Sequence, residues 1–112
     1  MTDIRIIRQA GFIKGFRISG HAGYADSGYD IVCAAVSAIS QTAAMGIVEV
    51  LKIKAALKQD DEQGTLTLDL PDVGDERAEA VLQTMAHGLQ SIQQQYPNFL
   101  RITFFETEVT SI

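Results

Sequence analysis

The sequence predicts an α+β domain: a mostly antiparallel sheet with two helices packed on it, in the order β-β-α-β-β-α-β. Three observations carry that prediction. The N-terminus holds two alternating runs joined by a short connection; two segments of helical length follow, one alanine-rich and one amphipathic; and short alternating runs come after each, with no repeating β-α-β unit. At 112 residues, the chain suits one domain over residues 1–112, built on one core.

Ile4, Ile6 and Arg8 alternate with Asp3, Arg5 and Ile7; after Gln9-Ala10-Gly11, Phe12, Phe16 and Ile18 share a face, which predicts a β-hairpin. From Ser19 to Tyr29, Gly20, Gly23 and Gly28 among small and polar residues mark a loop. The first helix starts between Ser27 and Asp30: Ser27-Gly28-Tyr29-Asp30 resembles a capping box, and Asp30 is itself a candidate N-cap. Its body runs from Ile31 and Val32 through Val36, Ile39, Ala43 and Ala44 to Ile47 and Val48, apolar on nearly every side. That pattern suits a helix with a sheet on one side and a second cover, such as a dimer partner, on the other. Ile53, Ala55 and Leu57 alternate within Lys52 to Lys58 and predict a short strand, and Asp60-Asp61-Glu62-Gln63-Gly64 predicts a turn.

Leu66, Leu68 and Leu70 alternate with Thr65, Thr67 and Asp69 until Pro71 stops the ladder, and Asp72 to Asp75 connect onward. Ala78, Val81, Leu82, Met85, Leu89 and Ile92 fall on one face of a second helix, which Pro97 ends just after Tyr96. Leu100, Ile102 and Phe104 form the last strand, with a polar tail from Glu106 that fades into the C-terminus.

The composition narrows the classes of function. With 46% hydrophobic and 21% charged residues the chain can bury a core, which argues against disorder. Nine Lys and Arg against fourteen Asp and Glu leave a net charge of −5, which disfavours a nonspecific grip on nucleic acid or an anionic membrane. Cys33 is the only cysteine, so no internal disulfide forms; with no signal-peptide core at the N-terminus, it reads as a reduced cytoplasmic thiol. Ile31 to Leu51 is interrupted by Ser37, Ser40, Gln41, Thr42 and Glu49 and reads as a buried helix, with no membrane span.

The segment from Gly20 to Ser37 holds the chemistry. It joins the sole cysteine to His21 across a loop able to bend sharply. A thiol in the first turn of a helix sits where the positive dipole end favours the thiolate, and His21 reaches it if the strand end and helix start are neighbours. Alone, such a Cys packs as a small hydrophobe and such a His faces solvent; together they make a nucleophile and base reading. Asp30 either caps the helix or orients His21, and its charge near Cys33 opposes a thiolate unless turned toward backbone N–H groups or the imidazole. Ser37, one turn after Cys33, either supports the site or bonds a backbone carbonyl. His87 falls off the apolar stripe of the second helix and reads as solvent-facing. No metal site is expected, because only Asp26 or Asp30 joins the Cys and His, at irregular spacing. The glycines also lack the order of a phosphate loop, so no nucleotide cofactor is expected.

Gly20-His21, Gly23, Gly28, Asp30 and Cys33 follow a pattern of a Gly-His pair, a glycine-rich loop and Asp-x-x-Cys at the start of a long helix. In this the sequence resembles the ribosomal-processing cysteine protease family known as Prp. Chain length, element order and Tyr96-Pro97 before a terminal strand extend the resemblance over nearly the whole chain. The resemblance implies a cofactor-free cysteine endopeptidase, acting as a homodimer. Its substrate would be large-subunit ribosomal protein twenty-seven, whose N-terminal extension it removes by cutting after paired aromatic residues. It further implies Cys33 as nucleophile and His21 as base; Gly20, Asp30 and Ser37 stand beside them as supporting candidates. Ala22, Gly23, Tyr24, Gly28 and Tyr29 would belong to a loop that moves for the substrate. Tyr24 and Tyr29 either line a pocket for the aromatics or pin that loop to the core. Backbone N–H groups at the helix start, that of Cys33 included, are candidate oxyanion donors. Two other readings stand beside this one: a thiol redox sensor, which lacks a resolving cysteine, and a noncatalytic ribosome-associated binding module.

Overall fold

The hairpin forms where the alternation places it. In this computed structural model, which describes residues 1–20 and 27–107 and the side chains of all of these except 27–30, β1 (Thr2–Gln9) pairs antiparallel with β2 (Phe12–Ser19). Ala10 and Gly11 take φ of 54° and 83°, the left-handed pair that suits a two-residue hairpin turn. The register slips between Ile7 and Arg8: Ile7 faces Gly15 and Arg8 faces Ile13, so Lys14 bulges out of the ladder. That slip corrects the expected face. Ile13 joins Phe16 and Ile18 in the core, where simple alternation puts Phe12. The N–H of Ile13 donates to Oε1 of Glu79 at 2.7 Å, tying the bulge to the second helix.

β3 (Ala56–Asp60), β4 (Thr65–Asp69) and β5 (Leu100–Thr107) complete a five-stranded sheet in the order β3-β4-β2-β1-β5. Three neighbouring pairs are antiparallel, and β1 with β5 is parallel. These pairings make β2 parallel to β3 with β4 between them, and β4 parallel to β5 with β2 and β1 between them. The chain therefore contains two interleaved β-α-β crossovers, where the sequence suggested none. β5 continues through Glu106 and Thr107, which pair with Arg8 and Gln9, so the polar tail is still strand.

Both helices lie on the face that carries Ile4, Ile6, Phe16, Ile18, Leu66 and Leu68; the other face carries Arg5, Arg17 and Arg101 and meets solvent. α1 (Ser27–Met45) buries Val32, Val36, Ala43 and Ala44 and runs on through a π turn, Gly46–Val50, that buries Ile47. By length and composition Ile31–Val50 is apolar enough to cross a membrane, against the expectation drawn from its interrupting polar residues, and a third of its most apolar window is buried inside the domain. Lys52 then turns left-handed at φ 59°, and the N–H of Ile53 reaches back to the carbonyl of Ile47. This helix stop uses up Lys52 to Ala55, so the strand expected over Lys52 to Lys58 begins at Ala56 and runs on through Asp60, which was expected in the turn.

α2 (Glu76–Gln95) buries Ala78, Leu82, Met85, Ala86 and Leu89, while Val81 and Ile92 of the expected stripe are partly buried against the core and Ala86 is added to it. Asp75 is its N-cap, accepting from the N–H groups of Arg77 and Ala78. The helix ends at Tyr96, ahead of Pro97.

Candidate active site

The topology brings the starts of β1 and β4 and the ends of β2 and β3 to one end of the sheet: Asp3 faces Ser19, Ser19 faces Thr65 and Thr65 faces Asp60. α1 crosses above this row. Between them lies a cleft of about 230 Å³ with Cys33, Ser37 and Gln41 of α1 on one side, and Thr2, Gly20 and the β3–β4 hairpin on the other.

Cys33 is half-buried, and its Sγ lies 3.6 Å from Oγ1 of Thr2. Thr2 is held from both directions: its N–H donates to the carbonyl of Phe99 at 3.0 Å, and the strand it opens pairs with β2 and β5. Gly20 is glycine for a local reason. A Cβ there would stand 2.9 Å from Oγ1 of Thr2 and 3.2 Å from its Cα. Gly64, with φ of +65°, packs against the same residue: its carbonyl accepts from the N–H of Gly20 at 3.2 Å, and a Cβ on it would fall 2.2 Å from the Gly20 carbonyl oxygen. The floor of the cleft is thus two backbones in contact.

Ser37 lines the cleft one turn after Cys33, and its Oγ accepts from Nε2 of Gln41 at 2.7 Å. Its backbone carbonyl, and that of Val36, accept from Oγ of the fully buried Ser40. The opposite rim is acidic: Asp60 and Asp61 line the cleft, and Oδ1 of Asp60 also accepts from the N–H groups of Glu62 and Gln63 in the turn.

Of the residues expected at the site, Gly20, Cys33 and Ser37 come together here. His21, Ala22, Gly23 and Tyr24 lie outside the described residues, as do the side chains of Gly28, Tyr29 and Asp30, whose backbones form the first turn of α1. Two expectations about the helix start change. Asp30 lies inside that turn, so the N-cap position falls earlier in the chain. Cys33 comes six residues after Ser27, in the second turn, where its N–H closes a helical bond to the carbonyl of Tyr29. The dipole end therefore lies a turn further off than expected.

Sequence reasoning missed Thr2, Gln41, Gln59 and the acidic hairpin rim, all of which line the cleft. For Gln41 a signal existed, since it follows Ser37 by one turn and Cys33 by two on the same side of α1. For Thr2 none did. His87 is exposed on α2, as expected. Among the described residues no three His, Cys, Asp or Glu side chains cluster in a way that would hold a metal. A larger groove of about 750 Å³ between α1 and α2 is lined by Ala38, Ile39, Gly46, Val81 and other small or aliphatic residues. Only Thr42 and Thr84 offer it hydroxyls, so its size does not make it the reactive centre.

Comparison with known proteins agrees with this placement of the fold. The family described as cysteine protease Prp matches residues 1–101. The ribosomal processing cysteine protease Prp of Staphylococcus aureus strain Mu50 is 28% identical over 98 residues, covering 88% of this chain and 92% of that protein. The crystal structure of Prp from S. aureus in complex with a substrate peptide superposes with a TM-score of 0.87 at 27% identity, over 93% of this chain and 99% of that one. A second structure of Prp from S. aureus, with a covalently linked product peptide, gives a TM-score of 0.83 at 28% identity over the same shares.

Proposed function

The chain belongs to the cysteine protease Prp family and is a cysteine protease, and from that premise we propose that it removes the N-terminal extension of large-subunit ribosomal protein twenty-seven, with Cys33 as nucleophile and His21 as base. One observation carries the assignment: the sole thiol of the chain lines, half-buried, the cleft where four strand ends meet. Gly20, Asp30 and Ser37 support it, and the loop with Ala22, Gly23, Tyr24, Gly28 and Tyr29 receives the substrate.

His21 takes the thiol proton and Sγ of Cys33 attacks the scissile carbonyl. As the tetrahedral intermediate collapses the C–N bond breaks and the imidazolium returns the proton to the leaving amine. Water, deprotonated by the same imidazole, then hydrolyses the thioester. The relative with a covalently linked product peptide supports a covalent route. The relatives' name, ribosomal processing protease, supports the substrate class, and so does a net charge of −5 facing a basic protein. We assign the protein to the cytoplasm, where a lone thiol stays reduced. A homodimer accounts for the apolar side chains that α1 and its π turn leave in solvent: Ile31, Met45 and Val50 are 60%, 51% and 76% exposed.

The test is incubation of the purified protein with a peptide carrying the extension of the host's own ribosomal protein twenty-seven, beside Cys33→Ala and His21→Ala, with products read by mass spectrometry. Cleavage at one bond by the parent and by neither variant is expected. Folded parent protein that leaves a paired-aromatic peptide intact would move the reading to a binding module. Sedimentation of the same preparation should give twice the chain mass, and a single-chain mass sinks the dimer.

A further inference from the structure

We infer that Thr2 is a positioning residue for the thiol: its hydroxyl donates to Sγ of Cys33, holding the sulfur toward the cleft and stabilising it as thiolate. The inference rests on the reading of Cys33 as nucleophile. Three features of the structure carry it. Oγ1 of Thr2 and Sγ of Cys33 are 3.6 Å apart, within reach of a hydrogen bond to sulfur. Thr2 is only 3% exposed, at a strand position where a β-branched apolar residue would pack as well. Its backbone is fixed by the bond to the Phe99 carbonyl and by the strands on either side, so the hydroxyl cannot follow the sulfur if α1 shifts; it sets where the sulfur sits.

The surroundings are built to that position. Gly20 has no side chain where a Cβ would come 2.9 Å from the hydroxyl, so the end of β2 leaves room for Thr2 and for nothing larger. When His21 removes the thiol proton, the sulfur can only accept, so the Thr2 O–H becomes the donor to the charge that develops there, and a charge-assisted bond of this kind is stronger than the neutral one it replaces. The role assigned to Thr2 is exerted through Cys33.

Thr2→Val keeps the shape and removes the hydroxyl, and Thr2→Ser keeps the hydroxyl. Cys33 is the only cysteine, so alkylation by iodoacetamide reads this thiol alone. Thr2→Val is expected to move the pH profile of alkylation to higher pH and to lower kcat on the extension peptide on the order of tenfold with KM little changed, and Thr2→Ser to restore both. A Thr2→Val protein with the parent's alkylation profile and kcat overturns the inference. So does equal loss in Val and Ser variants with an unmoved profile, which would mean packing alone. The alkylation arm needs no catalysis: a moved profile beside an active Cys33→Ala would remove the nucleophile reading and leave the coupling of Thr2 to the thiol standing.

Discussion

One hydrogen atom at Gly20, in place of a methyl group, lets β2 end against the buried side chain of Thr2. Because Thr2 is pinned in the sheet and 3% exposed, a Cβ at Gly20 has nowhere to send the atoms it meets at 2.9 and 3.2 Å. Gly20→Ala should destabilise the fold by roughly 1–3 kcal/mol, as overpacking at a closed site does, and should lower cleavage further than the melting curve explains. Thermal unfolding and peptide cleavage on one preparation check this, and a variant that melts and cuts like the parent shows that the end of the sheet yields. Gly20 and Cys33 could be read from the sequence because each belongs to a local pattern. Thr2 could not, since it stands 31 residues from Cys33 and looks like any residue opening a strand.

At the scale of elements, α2 shows how a helix start is anchored by one carboxylate. The Arg77 side chain beside Asp75, more than its two backbone N–H bonds, holds that carboxyl at about 2, against an ordinary value of 3.8. A lowered folded-state value means the contribution is present in full above about pH 4 and is lost as pH falls from there toward 2. Asp75→Asn, which still caps, should therefore flatten the fall in stability over that window by losing the charged contribution at neutral pH, and Asp75→Ala, which loses the cap too, should lower the neutral-pH denaturation midpoint further. Denaturant melts at pH 2.5, 4 and 7 separate the two, and parallel pH slopes for parent and Asn variant would refute the linkage. α2 and β4 were legible because a period of 3.6 or of 2 is a property of a short window. The bulge at Lys14 was not, since one inserted residue changes the phase and exchanges Phe12 for Ile13 without altering composition. Nor was the start of β3, an edge strand exposed along its whole length, where no buried face imposes an alternation.

For the whole molecule, strand order is the property that local periodicity leaves open. The hairpins the sequence pointed to both form, in a mostly antiparallel sheet, and the chain also threads two crossovers through that sheet and sets β5 parallel to β1. That threading gathers the starts of β1 and β4 and the ends of β2 and β3 under α1, so the cleft is a product of topology that no single segment encodes. It also places Asp60 and Asp61 on the rim opposite Cys33, in a chain that already carries a net charge of −5. Long-range attraction of a basic substrate raises the encounter rate and is screened as the Debye length shrinks from about 10 Å at 0.1 M salt to about 3 Å at 1 M. Bond cleavage inside the cleft is screened far less. For a peptide rich in Lys and Arg beyond the cut, kcat/KM should fall several-fold, on the order of fivefold, between about 0.05 and 0.5 M salt, with kcat unchanged. A peptide with the same cleavage sequence and neutral flanks should show no such slope, and Asp61→Asn combined with Glu62→Gln should reduce it for the basic one. Equal salt dependence for the two peptides would mean that salt acts on the enzyme itself, and the acidic rim would then have no part in capturing substrate.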